Sequence, residues 1–374
     1  MKAIVTGMGM INALANNVAD AWEALLLNRS AIEAYSHLAD EGYVNSYAAL
    51  CGAAFGPKDR GAQLAAGAIR EALGDRDISG KRVGLFLGST LGESYAYENA
   101  AAMGHETSEG KGSLQKTVDN ISCLLGIDFA GVQLFANACA AGNYALEAGA
   151  KAVEMGYVDL AIAGGVDPFS HIAFTGFQRS RAMSPSGECR PFDQRRNGMI
   201  LGEGAAFIML EPQDGYGIPG QQIRVGSLGL SCDAYHPTAP AKDGSGMEQS
   251  IRQALELQQW NHEEVDMVCI HGSGTALSDL AEGSAICRVF GEVPVAGCKG
   301  AWGHSLGAAT AMEAIVCIKA MQEKLIPPTP GFQHVDQAVG VVPYNIPHQA
   351  SLKKVINTGF AFGGLNSCLC LEKI

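Results

Sequence analysis

An α/β fold is predicted by this sequence on three observations: short β-forming runs alternate with stretches of helical periodicity, glycine and alanine are abundant, and aromatic residues are scarce. Strands separated by helices imply parallel sheets covered on both faces. The 47 glycines and the 7% aromatic content suit helices packed closely onto a sheet. The 374 residues, 47% of them hydrophobic, suffice for about two domain-sized units, or one large double unit.

Taken in order, MKAIVTGMGMI reads as a strand over 3–6 entering a glycine turn, and it lacks the pattern of a secretory leader. RVGLFL gives a strand over 82–87. A strand over 132–136 (VQLFA) breaks into NACAAG, and a helix of small residues follows to about residue 156. Strands over 160–164 and 205–210 complete a first half. EPQDGYGIPG, with its Pro-Gly pair, is the best boundary, dividing the chain into 1–215 and 216–374. The second half has strands over 223–228, 265–270, 294–296, 355–359 and 367–371. Its segment 294–319 passes from a short strand through a glycine turn into an alanine-rich helix, a faint echo of the segment around Cys139.

Composition narrows the function. The net charge of −12 argues against a nucleic-acid or anionic membrane surface. No apolar stretch approaches the roughly 20 residues a bilayer span needs, so a cytoplasmic protein is expected. The 11 cysteines carry no paired CxxC spacing, which indicates neither a disulfide framework nor a zinc site. Cys368 and Cys370, two apart in a strand-like tail, read as packing.

Four segments carry chemistry. Cys139 sits on a sharp strand-to-helix turn, where unpaired N–H groups favour a thiolate and can bind an oxyanion. His271 leaves a strand end into the glycine-rich HGSGT, with Asp279 and Glu282 downstream. Lys299 and His304 lie in KGAWGHSLG at a helix start, where the dipole disfavours imidazolium. GFAFGGLN, with Phe362, Gly363 and Gly364, can expose N–H groups as an anion nest or serve as a hinged gate. Singly, each also fits a buried thiol, a loop histidine, a surface lysine or a plain Gly-Gly hairpin.

Together, ANACAAG, HGSGT, KGAWGHSLGAA and GFAFGGLN resemble, in order and approximate spacing, the β-ketoacyl-acyl-carrier-protein synthases of the I/II type. The blocks RAMSPSGECRPFDQRRNGMILGEGAAFIMLE and SCDAYHPTAPAKDGSG are similar too, so the likeness runs from about residue 80 to the end. The resemblance implies a thiolase-like fold, two βαβαβ halves in a five-layered αβαβα sandwich, and usually a dimer. It implies that Cys139 is the nucleophile and that His271 and His304 are the two active-site histidines. Lys299 would orient them, with Glu282 as the buried acid linked to that lysine and Asp279 as its neighbour. Phe362 would gate the site and share the oxyanion hole with Cys139. Ser273 and Thr275 would contact the carrier's pantetheine arm, with Asp279, Gly363 and Gly364 around the same substrate. Arg195 and Arg196, with Arg190 as a helper, would dock an acidic acyl carrier protein. The implied reaction is decarboxylative condensation of an acyl-cysteine with a malonyl thioester, without metal or redox cofactor.

Three departures stand out. The chain is shorter than is usual for that family, with the deficit around 35–80 and 93–120, where acyl-pocket and dimer elements are expected. Asn137 stands where a small or hydroxylated residue is commoner, and Met199 and Ile200 fall in a pocket-forming stretch. These point to a specialised fatty acid, polyketide or polyene enzyme, as a homodimer or paired with a chain-length-factor-like subunit. A non-catalytic chain-length factor is disfavoured by Cys139, and a simple acyltransferase by the presence of both histidines.

Overall fold

The computed structural model describes residues 2–56, 58–104, 113–213 and 222–374. The expected boundary at 215/216 lies in 214–221, and part of the 93–120 segment lies in 105–112, both outside the described residues.

Ten strands form the main sheet: β1 (Ala3–Asn12), β2 (Val83–Gly88), β3 (Gly131–Phe135), β4 (Leu160–Asp167), β5 (Gly204–Pro212), β6 (Ile223–Cys232), β7 (Met267–Cys269), β8 (Val295–Ala296), β9 (Lys354–Ala361) and β10 (Leu365–Lys373). Their order, β8-β7-β9-β10-β6-β1-β5-β4-β2-β3, is two five-stranded sets joined by the single pair Ile4↔Arg224 between β1 and β6. The sets share one pattern. In the first, β3, β2 and β4 are parallel while β5 is antiparallel to both β4 and β1. In the second, β8, β7 and β9 are parallel while β10 is antiparallel to both β9 and β6.

One reversed strand per set corrects the expectation of purely parallel sheets. For β10 the reason is local: only Phe362–Gly364 separates it from β9, and so short a turn joins strands only in antiparallel fashion. The strand candidates themselves all coincide with observed strands.

Helices α1 (Arg60–Leu73) and α2 (Leu114–Leu125) cover the outer face of the first set through Leu64, Ile69, Val118 and Ile121. Helices α5 (Ser245–Gln258) and α6 (Ala276–Phe290) cover the second through Ile251, Ala254, Ala285 and Ile286. Between the sets run α3 (Ala141–Glu154) and α7 (Ala309–Glu323), whose Leu146, Ala150, Met312 and Ile315 share one core with Ala163, Ile208, Val355 and Leu369. The result is the five-layered αβαβα sandwich. A fully flanked helix has no solvent face, and residues 309–318 are buried without interruption. The starts of α3 and α7 touch: a Cβ on Gly142 would lie 2.6 Å from Ala311 N, so glycine is what permits this approach.

Each central helix begins the same way. A 3₁₀ turn, Ala138–Ala140, leads into α3, and a second, Leu306–Ala308, leads into α7. The first residue of each has positive φ, +48° at Ala138 and +47° at Leu306. A left-handed alanine or leucine is strained, so both bends are held by their surroundings. The faint echo in the sequence corresponds to these paired elbows. No described helix is long and apolar enough to cross a membrane.

Candidate active site

The first elbow delivers Cys139 to the floor of a cavity of about 370 Å³, which His271, His304 and Phe362 also line. Cys139 is 6% exposed, and the N–H of Phe362 is directed at its sulfur. Burial pushes its thiol up to about 12, more than Lys299 nearby can pull it down. Desolvation in this apolar setting, with the Asp167 and Glu313 carboxylates nearby, therefore works against the thiolate that the turn was expected to favour.

His271 lies just beyond β7, and its backbone is clamped. Its N–H is shared between Glu282 Oε1 at 2.7 Å and Thr358 Oγ1 at 2.9 Å, while Gly272 N donates to Glu282 Oε2 at 2.8 Å. His304 follows a short helix, Lys299–Trp302, and is stitched to the first half by His304 N to Ile200 O at 2.7 Å and Gly202 N to His304 O at 3.0 Å. The two rings meet edge to face with centroids 5.2 Å apart. Burial, then the positive charge of Lys299, holds both well below the ordinary histidine range, so both are neutral.

Their tautomers follow from the donors that reach them. Leu306 N–H donates to His304 Nδ1 at 3.2 Å, and Lys299 Nζ lies 3.4 Å from His271 Nδ1. With each Nδ1 accepting, each proton resides on Nε2.

The lysine's acid is not the one the sequence suggested. Lys299 Nζ pairs with Glu313 Oε1 at 2.5 Å and also donates to the His271 carbonyl. Glu282 is instead committed to the main chain of His271 and Gly272 and to Thr358 Oγ1, because α6 brings it under that loop. Burial opposes the charge on Lys299, but the Glu313 carboxylate outweighs it and raises the ammonium's pKa. Glu313, a lone acid in the apolar run ATAMEAIVCIK, was the available signal for this partner.

Asp279 is fully buried and does not line the cavity. It accepts from Phe192 N at 2.9 Å, Gly274 N at 3.1 Å and Ser273 Oγ at 3.2 Å, so it shapes the loop from below. Ser273 and Thr275 do line the cavity, their hydroxyls 2.8 Å apart. Gly363 and Gly364 have φ of +84° and +71° and do not line the cavity. The Gly363 N–H donates to Pro237 O at 2.8 Å, and the turn is pinned again by Asp233 N to Gly364 O at 2.9 Å. Phe362 packs on Phe177, ring centroids 5.3 Å apart.

Of the arginines expected at the docking surface, Arg196 is the one enclosed. The side chain of Arg196 is 6% exposed and occupied by Asp336 at 2.6 Å, so it braces the loop and does not offer a docking charge. Arg195 is half-exposed but bonded to Asp193 and Gln333, and Arg190 is paired with Glu188. Among the residues lining the cavity, the cation is Arg181, which is exposed; it opens the block RAMSPSGE but was not read as a docking residue. Met199 lines the cavity and Ile200 does not.

A buried thiol, two uncharged imidazoles and a main-chain N–H meet on one cavity, the equipment of a nucleophilic site for acyl transfer. Residues 55–215 match the beta-ketoacyl synthase N-terminal domain and residues 224–333 its C-terminal domain. The chain is 30% identical to nodulation protein E of Rhizobium meliloti over 100% of this chain and 99% of that one. It is 28% identical to 3-oxoacyl-[acyl-carrier-protein] synthase 2 of Vibrio cholerae serotype O1, with the same coverage of 100% and 99%. Among solved structures, the ishigamide ketosynthase/chain length factor superposes with a TM-score of 0.89 at 31% identity, covering 100% of this chain and 99% of that one. A ketosynthase in complex with its chain length factor from Xenorhabdus doucetiae superposes with a TM-score of 0.82 at 25% identity, covering 100% and 98%. The chain belongs to the beta-ketoacyl synthase family. It is an acyltransferase of the condensing class, joining an acyl unit to a carrier-bound malonyl unit to give a β-ketoacyl thioester.

Proposed function

We propose that Cys139 carries the acyl chain and that His271 and His304 together stabilise the enolate. The observation that carries this reading is that two buried imidazole rings in edge-to-face contact, both kept neutral by burial and Lys299, line the same cavity as one buried sulfur. In the first half-reaction the sulfur of Cys139 attacks the acyl thioester, and N–H groups of Cys139 and Phe362 hold the oxyanion. One such donor is worth about 3–4 kcal/mol. The pantetheine sulfur leaves and takes up the proton that Cys139 gives, so the exchange consumes no net acid or base. In the second, the malonyl C–C bond to the carboxylate breaks, CO₂ leaves and the electron pair becomes an enolate whose oxygen accepts from both Nε2–H groups. Its carbon attacks the acyl-cysteine, the C–S bond to Cys139 breaks, and the released thiolate takes from water the one proton the condensation consumes.

Lys299 fits a positioning role, since all its donors go to Glu313, the His271 carbonyl and His271 Nδ1. On this reading Ser273 and Thr275, which line the cavity, receive the pantetheine arm, and the exposed Arg181 meets an acidic acyl carrier protein. The outer edge of β3 is unpaired among the described residues and Val132 on it is 42% exposed, which fits a second subunit continuing the sheet. Two of the similar structures hold a ketosynthase with a chain length factor, which favours the catalytic half of such a pair as the alternative to a homodimer. The test is to incubate the protein with a panel of acyl-carrier thioesters, then with malonyl-carrier, following a Cys139 adduct by intact mass and CO₂ release. Acylation away from Cys139 would reject the reading.

A further inference from the structure

The ends of β4 and β9 are counterparts in the two sets, and each reaches across to the opposite elbow. From the end of β9, the Phe362 N–H points at Cys139 in the first elbow. From the end of β4, Asp167 Oδ2 accepts the N–H of Gly307 in the second elbow at 2.6 Å. The first contact serves the nucleophile directly. The second has no place in the reaction as described so far.

Asp167 is fully buried, and its other contacts all lie in the first half: Ser89 Oγ at 2.6 Å, Leu91 N at 2.8 Å and Thr90 N at 2.9 Å. It is thus anchored on one side by the Ser89–Leu91 segment and holds a single group of the other half, the N–H next to Leu306. Leu306 is the strained residue of that elbow, with φ +47°, and its own N–H is the donor to His304 Nδ1. We infer that Asp167 is a positioning residue for the second half-reaction: by holding Gly307 it keeps the Leu306 N–H on His304 and so keeps the His304 proton on Nε2, facing the enolate.

The physical argument is a competition. A leucine gains by leaving the left-handed region, and a neutral imidazole has two tautomers of similar energy. Among the described residues the Leu306 N–H is the hydrogen-bond donor that distinguishes them at His304, and a held turn keeps that N–H in place. Without it the ring can present a lone pair to the enolate oxygen, which repels where it should donate.

The inference rests on the proposed role of His304, and its test separates the two. In Asp167→Asn, an amide oxygen kept toward Ser89 and Leu91 turns the NH₂ toward Gly307 N–H, so the cross-half contact is lost while Thr90 N–H keeps its bond to the retained oxygen. Three quantities are read on the same preparation: Cys139 loading per chain, CO₂ release from malonyl-carrier per loaded chain, and the tautomer of His304 by ¹⁵N-histidine NMR, assigned by comparison with His304→Ala. Asp167→Asn is expected to load, to release CO₂ at least tenfold more slowly per loaded chain, and to show His304 as a tautomer mixture. Ser89→Ala, which removes a different bond to the same carboxylate, is expected to lower the melting temperature while leaving tautomer and per-chain rate unchanged. If Asp167→Asn does not accumulate, Gly307→Ala pushes the turn off that carboxylate, because its Cβ would lie 2.9 Å from Asp167 Oδ2 and equally close to Ser89 Cα and Thr90 N, and the same tautomer shift is expected. A lower melting temperature with wild-type tautomer and rate per loaded chain would overturn the inference. Absence of a Cys139 adduct in the wild type would instead overturn the proposed function.

Discussion

Lys299 and Glu313 form an ion pair at 2.5 Å in which each side chain is only 1% exposed. It lies behind His271, whose Nδ1 and carbonyl both face the same ammonium. Removing one partner of such a pair leaves an uncompensated buried charge, which costs about 3–5 kcal/mol. Glu313→Gln is therefore expected to lose stability on that scale in denaturant melts, whereas Lys299→Met combined with Glu313→Leu recovers much of it but not condensation. Equal stability of Glu313→Gln and wild type would show that the pair is not ionic.

Cys139→Ala is expected to abolish the acyl adduct, while the remaining cysteines stay unmodified by substrate. His304→Ala should still load but condense roughly 100-fold or more slowly, the usual cost of removing one preorganised donor. Intact mass after each substrate addition reads both steps. Loading that fails along with condensation in His304→Ala would place that ring in the first step.

With its thiol pushed up to about 12 by burial, Cys139 holds little thiolate at neutral pH. Its alkylation by iodoacetamide should rise about tenfold per pH unit through pH 10, where a thiol of ordinary pKa near 8.5 has levelled off. Peptide mapping of the Cys139 fragment against time checks this. A plateau below pH 9 would mean that the helix terminus wins after all.

Both histidines titrate well below the ordinary range, because burial and Lys299 disfavour the cation. The neutral rings therefore persist as pH falls, and decarboxylation per loaded chain should stay flat between pH 7.5 and 6. An ordinary histidine would lose about half its neutral form near 6.5. A midpoint in that window would contradict neutral donors.

Arg181→Glu is expected to lower kcat/KM for carrier-bound substrates about tenfold and to weaken their salt dependence, leaving a free pantetheine thioester unaffected. Arg196→Glu should instead destabilise the protein, since Arg196 is enclosed by Asp336 and Asp279. Steady-state kinetics at two ionic strengths, with a melt of each variant, separates docking from bracing.

Much of this was legible in advance, and the reasons for the rest are specific. Alternating runs located the strands, but AAFIML of β5 reads the same whichever way it runs, since a doubly covered strand is apolar on both faces. Cys139, His271, His304 and Lys299 each leave a strand or enter a helix next to glycine, so local sequence marks them. Partnerships across the fold leave no such mark. Glu282 and Glu313 are both acids on buried helices, and only packing decides that α7 brings the latter to Lys299. The balance between a helix terminus and burial at Cys139 depends likewise on how completely the elbow is enclosed.

The matched elbows have one more consequence. Gly307 occupies in the second bend the place that Cys139 occupies in the first, one residue past a left-handed Leu306 or Ala138. With Cys139 as the proposed acyl site, a scaffold built twice offers its covalent passenger one seat at these bends, because the matching place in the second is a glycine with no side chain to take another.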